Sequence, residues 1–227
     1  MDIRDILKKS WDFIWNSNSV WSWLLNIVLA YFFIVYIFYP GVGALFKTPF
    51  PLVAVVSGSM EHMIINHDSG EPFLCDQTFD RTHLIVSFDQ YWEICGEWYE
   101  NNGITKEQFN DFSFRRGFNK GDIMFIYGTS PKDLEIGDVI VFRTDYQWDA
   151  RYSLEPIIHR IVDIKIINEQ YYFTTKGDHN EAIGPIDMNI NENNVLGKAV
   201  FRIPFLGWIK VWFTDLINWS VLMINRI

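Results

Sequence analysis

The sequence predicts a mainly β protein, with a folded sheet or barrel between an N-terminal membrane helix and a C-terminal amphipathic helix. Residues 21–39 form an uncharged apolar run, and residues 206–227 are again apolar but carry charges. From 49 to about 205, short β-branched and aromatic segments alternate with turn residues, which is typical of strands. The chain has 227 residues, enough to bury one core, and its ten tryptophans suit a protein that contacts a bilayer interface.

Charge and cysteine content exclude two classes of function. The formal net charge is −9 and no basic tract is present, so no nucleic-acid partner is expected, because phosphate contacts supply most of that affinity. Cys75 and Cys95 form no Cys/His cluster, so a structural zinc site is not expected. Outside the cytoplasm a disulfide between them would stabilise the fold by about 3 kcal/mol. In the cytoplasm they would stay reduced, and the sequence leaves both states open.

Residues 21–39 are predicted to be a transmembrane helix. At the helical rise this run is about 28 Å long, close to the thickness of a hydrocarbon core. Pro40-Gly41 is expected to end the helix. The alternative is a cleaved signal peptide, with Val42-Gly43-Ala44 supplying small residues at the cleavage site. A signal peptide has a shorter apolar region of about 7–15 residues, so a retained anchor is favoured.

The charges that flank the span predict its orientation. Three cations lie within residues 1–20, whereas only Lys47 closely follows the span. The positive-inside rule then places the N-terminus in the cytoplasm and residues 41–205 on the extracytoplasmic side of a single-pass protein. Apolar side chains within residues 3–14 recur at helical spacing, which predicts an amphipathic helix on the cytoplasmic membrane face.

The C-terminal segment, residues 206–227, is predicted to be a membrane-associated amphipathic helix. Its apolar side chains fall at helical spacing, but Lys210 and Asp215 interrupt the run. A spanning helix would have to bury both charges at a cost of several kcal/mol, so an interfacial helix is favoured. A second span and a helix packed on the core remain alternatives.

The region 41–205 is predicted to be the β domain, interrupted by an insertion at about 62–119. The predicted strands cover residues 51–56, 122–128, 138–143, 156–167, 170–177 and 195–203. Inside the insertion, residues 105–112 are predicted to contain a short helix. Thr105 would cap it, and Gln108, three residues later, would complete a capping box.

Ser57 and Ser59 follow the first predicted strand, where they either form a turn or supply a nucleophile. A serine hydroxyl attacks only when a base takes its proton. His159 lies in a strand and shares a face with Ile157 and Ile161. Such a histidine is more often a core residue, but once buried its two ring nitrogens need partners. A serine on one nitrogen and a carboxylate on the other would satisfy them and would form a catalytic triad.

The candidate carboxylates follow the strand at 170–177. They are Asp178, Glu181 and Asp187. A Gly-Asp pair after a strand is usually only a turn, so none of the three is specific by itself.

Five motifs in order resemble type I signal peptidases of the archaeal and endoplasmic-reticulum kind, peptidase family S26. These enzymes use Ser and His where most bacterial relatives use Ser and Lys. The resemblance covers about residues 35–210, apart from the insertion. The motifs are SGSME (57–61), KGDIMFI (120–126), IGDVIVFR (136–143), PIIHRIV (156–162) and TKGDHN (175–180).

The resemblance implies a role for each matching side chain. Ser59 stands where the family has its nucleophile, and His159 where it has its general base. Ser57 matches a position whose hydroxyl helps to bind the oxyanion in bacterial relatives. Asp178 matches the aspartate of the Lys-Gly-Asp motif.

This chain departs from the family pattern at two places. Relatives have a second aspartate six residues after that of Lys-Gly-Asp, where this chain has Gly184, and Asp187 follows three residues later. Asp178 and Asp187 therefore both remain candidates for the third triad member. His62 stands where relatives have proline, at the start of the insertion.

The implied function is a membrane-bound serine endopeptidase that removes signal peptides from secretory preproteins, without a metal or cofactor. The bilayer and the protein translocation machinery are the expected partners. Two alternatives remain open at this point. One is a non-catalytic, membrane-tethered β domain that binds a partner protein. The other is a self-processing protease of the same fold, for which Val42-Gly43-Ala44 is a conceivable cleavage site.

Overall fold

The computed structural model describes residues 2–65, 71–80, 84–144, 156–208 and 212. The chain divides into two compact units, Met1–Pro49 and Phe50–Ile227. The predicted C-terminal helix at 206–227 lies almost entirely outside the described residues, as do His67 and His83.

The first unit is helical. Its elements are α1 (Ile3–Asn16), α2 (Val20–Phe33), a π-helical segment (Ile34–Phe38) and α3 (Tyr39–Phe46). The predicted amphipathic helix within 3–14 is thus confirmed as a helix, and the Asp2 side chain caps it. Asn26 is the strongly polar side chain of the apolar run, and its amide donates to the Ile14 carbonyl at 2.8 Å.

The expectation that Pro40-Gly41 ends the apolar helix is wrong. Val20–Phe46 is helical over 27 residues and contains an 18-residue stretch with a mean hydropathy of 2.0, so it is long and apolar enough to cross a membrane. Proline lacks the N–H that an α-helix uses, and its ring collides with the carbonyl four residues back. Here the π-helical segment widens the ladder just before the proline, since the Tyr39 N–H bonds to the Ile34 carbonyl five residues back. The helix instead ends at Lys47, which adopts a left-handed conformation with φ 55°.

The second unit is built on a curled, seven-stranded antiparallel sheet, which confirms the predicted mainly β fold. Its strands are β1 (Leu52–Ala54), β6 (Ile123–Tyr127), β7 (Val139–Phe142), β8 (Ile157–Ile167), β9 (Gln170–Lys176), β10 (Ile190–Asn191) and β11 (Val195–Ile203), and the strands β2 to β5 belong to the insertion described below. Across the sheet their order is β1-β6-β11-β7-β8-β9-β10. Every strand predicted from the sequence occurs, although the first is shorter than expected.

The middle of the sheet is buried on both faces. In β7, Val139 and Val141 pack in one apolar cluster, whereas Ile140 and Phe142 pack in another. This division follows from the two-residue period of a strand. In β8, Ile161 joins the second cluster, and the His159 ring lies 6.4 Å from that of Phe142 between centroids. His159 therefore occupies the predicted face.

The insertion, residues 62–119, folds as a small helical and hairpin layer, described over 62–65, 71–80 and 84–119; we call it the insert. Cys75 and Cys95 form a disulfide within it. The predicted helix is confirmed as α5, with Thr105 and Gln108 completing the capping box. The remaining elements are β2 (Met63–Ile64), β3 (Phe73–Leu74), β4 (Gln77–Thr78), β5 (Leu84–Ile85), α4 (Phe88–Asn101) and α5 (Lys106–Asp111).

Candidate active site

Ser59 lies in a tight turn that follows β1. The Glu61 N–H bonds to the Gly58 carbonyl at 3.0 Å, which closes the turn. The next side chain, Met60, is fully buried in the core, and its carbonyl accepts from the Phe118 N–H at 3.1 Å. The buried methionine fixes the turn, so the partly exposed Ser59 hydroxyl is held at the surface.

The structure brings Ser59, His159 and Asp187 into one hydrogen-bonded chain. Ser59 Oγ lies 2.9 Å from His159 Nε2, and His159 Nδ1 lies 2.6 Å from Asp187 Oδ1. His159 is 5% exposed and Asp187 is 1% exposed, so both are shielded from water. The expected histidine with a serine on one nitrogen and a carboxylate on the other is present.

Strand register and a short 3₁₀ turn place the base and its carboxylate. β8 pairs with β9 so that Ile161 lies opposite Thr175, and the Thr175 hydroxyl donates to Asp187 Oδ1 at 2.6 Å. Asp187 ends the 3₁₀ turn Pro185–Asp187, where its Oδ2 accepts from the Gly184 N–H at 3.3 Å. The carboxylate is thus fixed by donors on both oxygens.

The surroundings favour an ionised Asp187. Burial alone would raise the pKa of this carboxyl. The charge of His159 and the hydrogen bonds from His159, Thr175 and Gly184 outweigh burial, so the pKa lies below its ordinary value. A charged acceptor at Nδ1 suits a histidine that becomes a cation during a reaction.

Asp178 lies in a different network, away from the His159 ring. Its carboxylate accepts two bonds from Arg160, of 2.9 Å and 2.7 Å, and further bonds from His62 and Tyr99. Both Asp178 and Arg160 are 0% exposed. Burial would raise the pKa of Asp178, but the Arg160 charge and these hydrogen bonds hold it far below its ordinary range.

Ser57 is exposed beside the nucleophile. Its Oγ lies 3.2 Å from Ser59 Oγ, so either hydroxyl can donate to the other. The Ser57 hydroxyl is therefore close enough to contact a group bound at Ser59 Oγ. Glu181, in contrast, is exposed, and the described bonds of the His159 ring go to Ser59 and Asp187 instead.

Two residues that contact the site were not singled out from the sequence. Thr175 is a buried polar residue on the same apolar face as Phe173, which is the signal that pointed to His159. Gly177 passes so close to the site that a Cβ there would lie 2.7 Å from the Ser59 carbonyl oxygen and 2.9 Å from His159 Nε2. The close approach of two chain segments depends on tertiary packing, so the sequence carries no signal for it.

No grouping of three or more His, Cys, Asp or Glu side chains that could hold a metal ion occurs within the described part of the chain. The side chains of Ser59, His159 and Asp187 match the arrangement that acyl transfer by a serine requires.

Comparison with known proteins identifies relatives of this chain. No protein-family model matches it. It is 30% identical over 130 residues to the signal peptidase complex catalytic subunit sec11 of Schizosaccharomyces pombe, covering 45% of this chain and 64% of the relative. It is 27% identical over 123 residues to the SEC11 subunit of Plasmodium falciparum, covering 51% and 62%. With the SEC11C subunit of Homo sapiens it shares 26% over 109 residues, covering 45% and 54%.

The chain thus aligns with less than two thirds of the length of these relatives, and the alignment covers about half of its own residues. The resemblance inferred from the five motifs is confirmed by these matches. The curated homologues of this chain are catalytic subunits of the signal peptidase complex.

Proposed function

We propose that this protein is a membrane-bound serine endopeptidase that removes signal peptides from secretory preproteins. The observation that carries the proposal is the chain of contacts from Ser59 through His159 to Asp187, at 2.9 Å and 2.6 Å. The names of the homologues supply the substrate class, since they are catalytic subunits of a signal peptidase complex.

In the proposed mechanism His159 is the general base and Ser59 the nucleophile. Asp187 accepts a hydrogen bond from the protonated Nδ1, which selects the tautomer with Nε2 unprotonated and able to accept the Ser59 hydroxyl proton. As that proton moves to Nε2, Oγ attacks the carbonyl carbon of the scissile peptide bond. The imidazolium then protonates the leaving amine, and an acyl-enzyme remains on Ser59. Water, deprotonated by the same nitrogen, hydrolyses the ester.

Asp187, rather than Asp178, is the third member in this proposal. Its charge faces the imidazolium that forms, and the Thr175 hydroxyl keeps its Oδ1 oriented toward the ring. The Asp178 charge is already neutralised by Arg160. For the oxyanion we propose the Ser59 backbone N–H and the Ser57 hydroxyl, since Ser57 Oγ lies 3.2 Å from the attacking oxygen.

The substrate would bind as an extended strand along β1. This strand is outermost in the described sheet and pairs with β6 on one side. An edge strand offers main-chain groups to an added peptide strand, and the chain continues from β1 directly to Ser59. We propose small residues at the −1 and −3 positions, as in the family that the motifs resemble. The self-processing alternative gains no support, because Val42-Gly43-Ala44 lies inside α3.

The helix Val20–Phe46 would hold the enzyme in the bilayer, next to the apolar region of its substrate. We propose a cytoplasmic N-terminus and an extracytoplasmic catalytic domain, on the side to which the translocation machinery delivers preproteins. The excess of cations before the span supports this orientation.

Cleavage of a preprotein by the purified full-length protein in detergent tests the proposal. Ser59→Ala and His159→Ala should each lower turnover by about 10⁴–10⁶-fold, as knockouts of serine triads do. Ser130→Ala is the matched control, because Ser130 is exposed and its side chain caps no helix. Near-normal cleavage by Ser59→Ala would refute the assignment of Ser59 as the nucleophile, whereas no cleavage by the wild type would favour a non-catalytic binding domain.

A further inference from the structure

We propose that the insert is part of the catalytic apparatus, and that Tyr91 and Tyr99 of α4 are positioning residues for Ser59. They act through residues 177–180, which we call the 177–180 loop. This inference rests on the proposed function, because it assigns a role in acyl transfer to groups that touch no reacting atom.

The 177–180 loop is the segment that holds the nucleophile turn in place. The His179 N–H donates to the Ser59 carbonyl at 2.9 Å, and the His179 ring contacts the Glu61 carbonyl at 3.0 Å. Gly177 packs directly against both the Ser59 carbonyl and His159 Nε2. A shift of this loop would therefore change the distance between the nucleophile and the base.

Two buried hydroxyls of the insert hold that loop. The Tyr91 hydroxyl donates to the Asp178 carbonyl at 2.8 Å, and the Tyr99 hydroxyl donates to Asp178 Oδ1 at 3.1 Å. Both tyrosines are 0% exposed. A third bond runs from the Cys75 N–H to the His179 carbonyl at 3.0 Å. The insert thus bonds the loop at two consecutive residues, through main chain and side chain.

The arrangement of α4 and the disulfide explains why these contacts act together. Tyr91, Cys95 and Tyr99 are four residues apart, so they lie on one face of α4, and all three are buried. The disulfide joins Cys95 on that face to Cys75, which has a left-handed φ of 58°. A non-glycine residue in this conformation needs its surroundings to maintain it. One covalently linked frame therefore carries these three contacts to the loop.

The insert also contacts the strand that carries the general base. Arg160 follows His159 in β8, and its guanidinium donates to the carbonyls of Ser113 and Phe114 at 2.7 Å and 3.0 Å. The same guanidinium lies over the Phe109 ring at 4.8 Å. The insert is therefore bound to both halves of the site, the nucleophile side through Asp178 and the base side through Arg160.

The test is the rate at which Ser59 is acylated. The full-length protein in detergent is mixed with a peptide p-nitrophenyl ester that ends in alanine, and the burst of p-nitrophenol is followed. Tyr91→Phe/Tyr99→Phe should lower the acylation rate constant by about 10–100-fold at an unchanged dissociation constant for the ester, since displacement by about 1 Å can cost that much. Tyr172→Phe is the control, because the Tyr172 hydroxyl forms a solvent-exposed bond to Gln170 at 3.2 Å.

A second variant removes the Cys75–Cys95 disulfide instead of the tyrosine hydroxyls. Cys75→Ala/Cys95→Ala should slow acylation similarly, and all four changes together should slow it by less than the product of the two effects. Groups that act through one shared loop are coupled, whereas independent stabilising groups give multiplicative effects. All rates are measured at least about 15 °C below the unfolding midpoint of each variant, which at about 4 °C per kcal/mol leaves every variant folded.

The outcomes separate this inference from the proposed function. A wild-type protein whose Ser59 is not acylated overturns both. A wild type that is acylated, with Tyr91→Phe/Tyr99→Phe acylated at the same rate, overturns the inference alone. The inference is also overturned if both variants are acylated more slowly but the variant with all four changes shows the product of the two effects. The tyrosine hydroxyls and the disulfide would then act independently of each other.

Discussion

Exchanging Asp187 and Asp178 for asparagine, one at a time, should separate a catalytic carboxylate from a structural one. Asp187→Asn keeps the shape of the side chain and an oxygen acceptor for Thr175, but removes the charge that faces His159. In serine triads this change lowers kcat by about 10³–10⁴-fold, because the histidine cation loses its counter-charge and a neutral amide no longer selects the reactive tautomer of the histidine. The free energy of unfolding should fall by only about 1 kcal/mol, the value of one hydrogen bond.

Asp178→Asn should have the opposite profile, a large loss of stability with a smaller loss of turnover. It leaves the Arg160 guanidinium 0% exposed without its counter-charge. Arg160 keeps three carbonyl acceptors, on Ser113, Phe114 and Gly137, so it stays hydrogen-bonded but is no longer neutralised. Breaking a buried ion pair in this way costs about 3–5 kcal/mol, a large part of a typical stability of about 5–15 kcal/mol. Turnover should fall about 10–100-fold, only as far as the 177–180 loop shifts.

Turnover and the free energy of unfolding are measured on the same preparations, as initial rates of preprotein cleavage and as urea unfolding followed by tryptophan fluorescence.

The stability change from Asp178→Asn should also depend on pH. The pKa of Asp178 is lowered in the folded protein, so the contribution of the ionised carboxylate to stability is complete above the unfolded-state pKa of about 3.9 and is lost as pH falls below it. The stability difference from Asp178→Asn should thus be constant between about pH 5 and 7 and shrink below about pH 4. If Asp187→Asn kept more than a tenth of the turnover while Asp178→Asn lost about 10³-fold without destabilisation, the two assignments would be exchanged.

Three further changes test individual contacts. Thr175→Val should lower kcat about 10-fold and raise the pKa of Asp187, because the carboxylate loses the hydrogen bond from the Thr175 hydroxyl. Thr175→Ser should restore activity. An unchanged kcat in Thr175→Val would contradict the role of Thr175 in positioning Asp187. Gly177→Ala should lower kcat about 100-fold, because the new Cβ would lie 2.7 Å from the carbonyl oxygen of Ser59. Gly41→Ala is the control and should leave kcat unchanged, since a Cβ there would have nothing within 4 Å. Equal kcat values for the two variants would contradict the close packing at Gly177. Burial lowers the pKa of Lys176 from 10.5 to about 8, so between these values the unfolded chain binds a proton that the folded chain does not. The stability of the wild type relative to Lys176→Met should therefore rise from pH 8 to pH 10.5 in urea titrations, and a flat difference would show that Lys176 is not buried as described.

The strands were predictable because their signal is local. β8 was expected at 156–167 and covers Ile157–Ile167, since β-branched residues and the preceding proline define it within the sequence. The face that His159 occupies followed from the two-residue period. The capping box of α5 was predictable for the same reason, since Thr105 and Gln108 are three residues apart.

Contacts between distant segments were not predictable. The choice between Asp178 and Asp187 depends on a 3₁₀ turn that returns Asp187 to His159, 28 residues before it in the chain. The role of the insert depends on bonds such as Tyr91 to Asp178, 87 residues apart. The end of the apolar helix was misjudged because a π-helical segment absorbs Pro40, and no local residue pattern announces such a segment.

The strand period also explains why catalytic and structural polar residues occur as neighbours in the sequence. In β8, His159 faces the cluster of Ile161 and Phe173, and the adjacent Arg160 faces Phe109 of the insert. In β9, Thr175 bonds to Asp187, and the adjacent Lys176 lies over Tyr99 of the insert.

The register sets Arg160 opposite Lys176 and Ile161 opposite Thr175, so each face of the strand pair carries one set of polar groups. A slip of one residue would exchange the faces and place the Arg160 cation where the His159 ring now bonds to Ser59 and Asp187. The dipeptides His159-Arg160 and Thr175-Lys176 therefore assign the polar groups of the candidate triad to one face and the groups that contact the insert to the other.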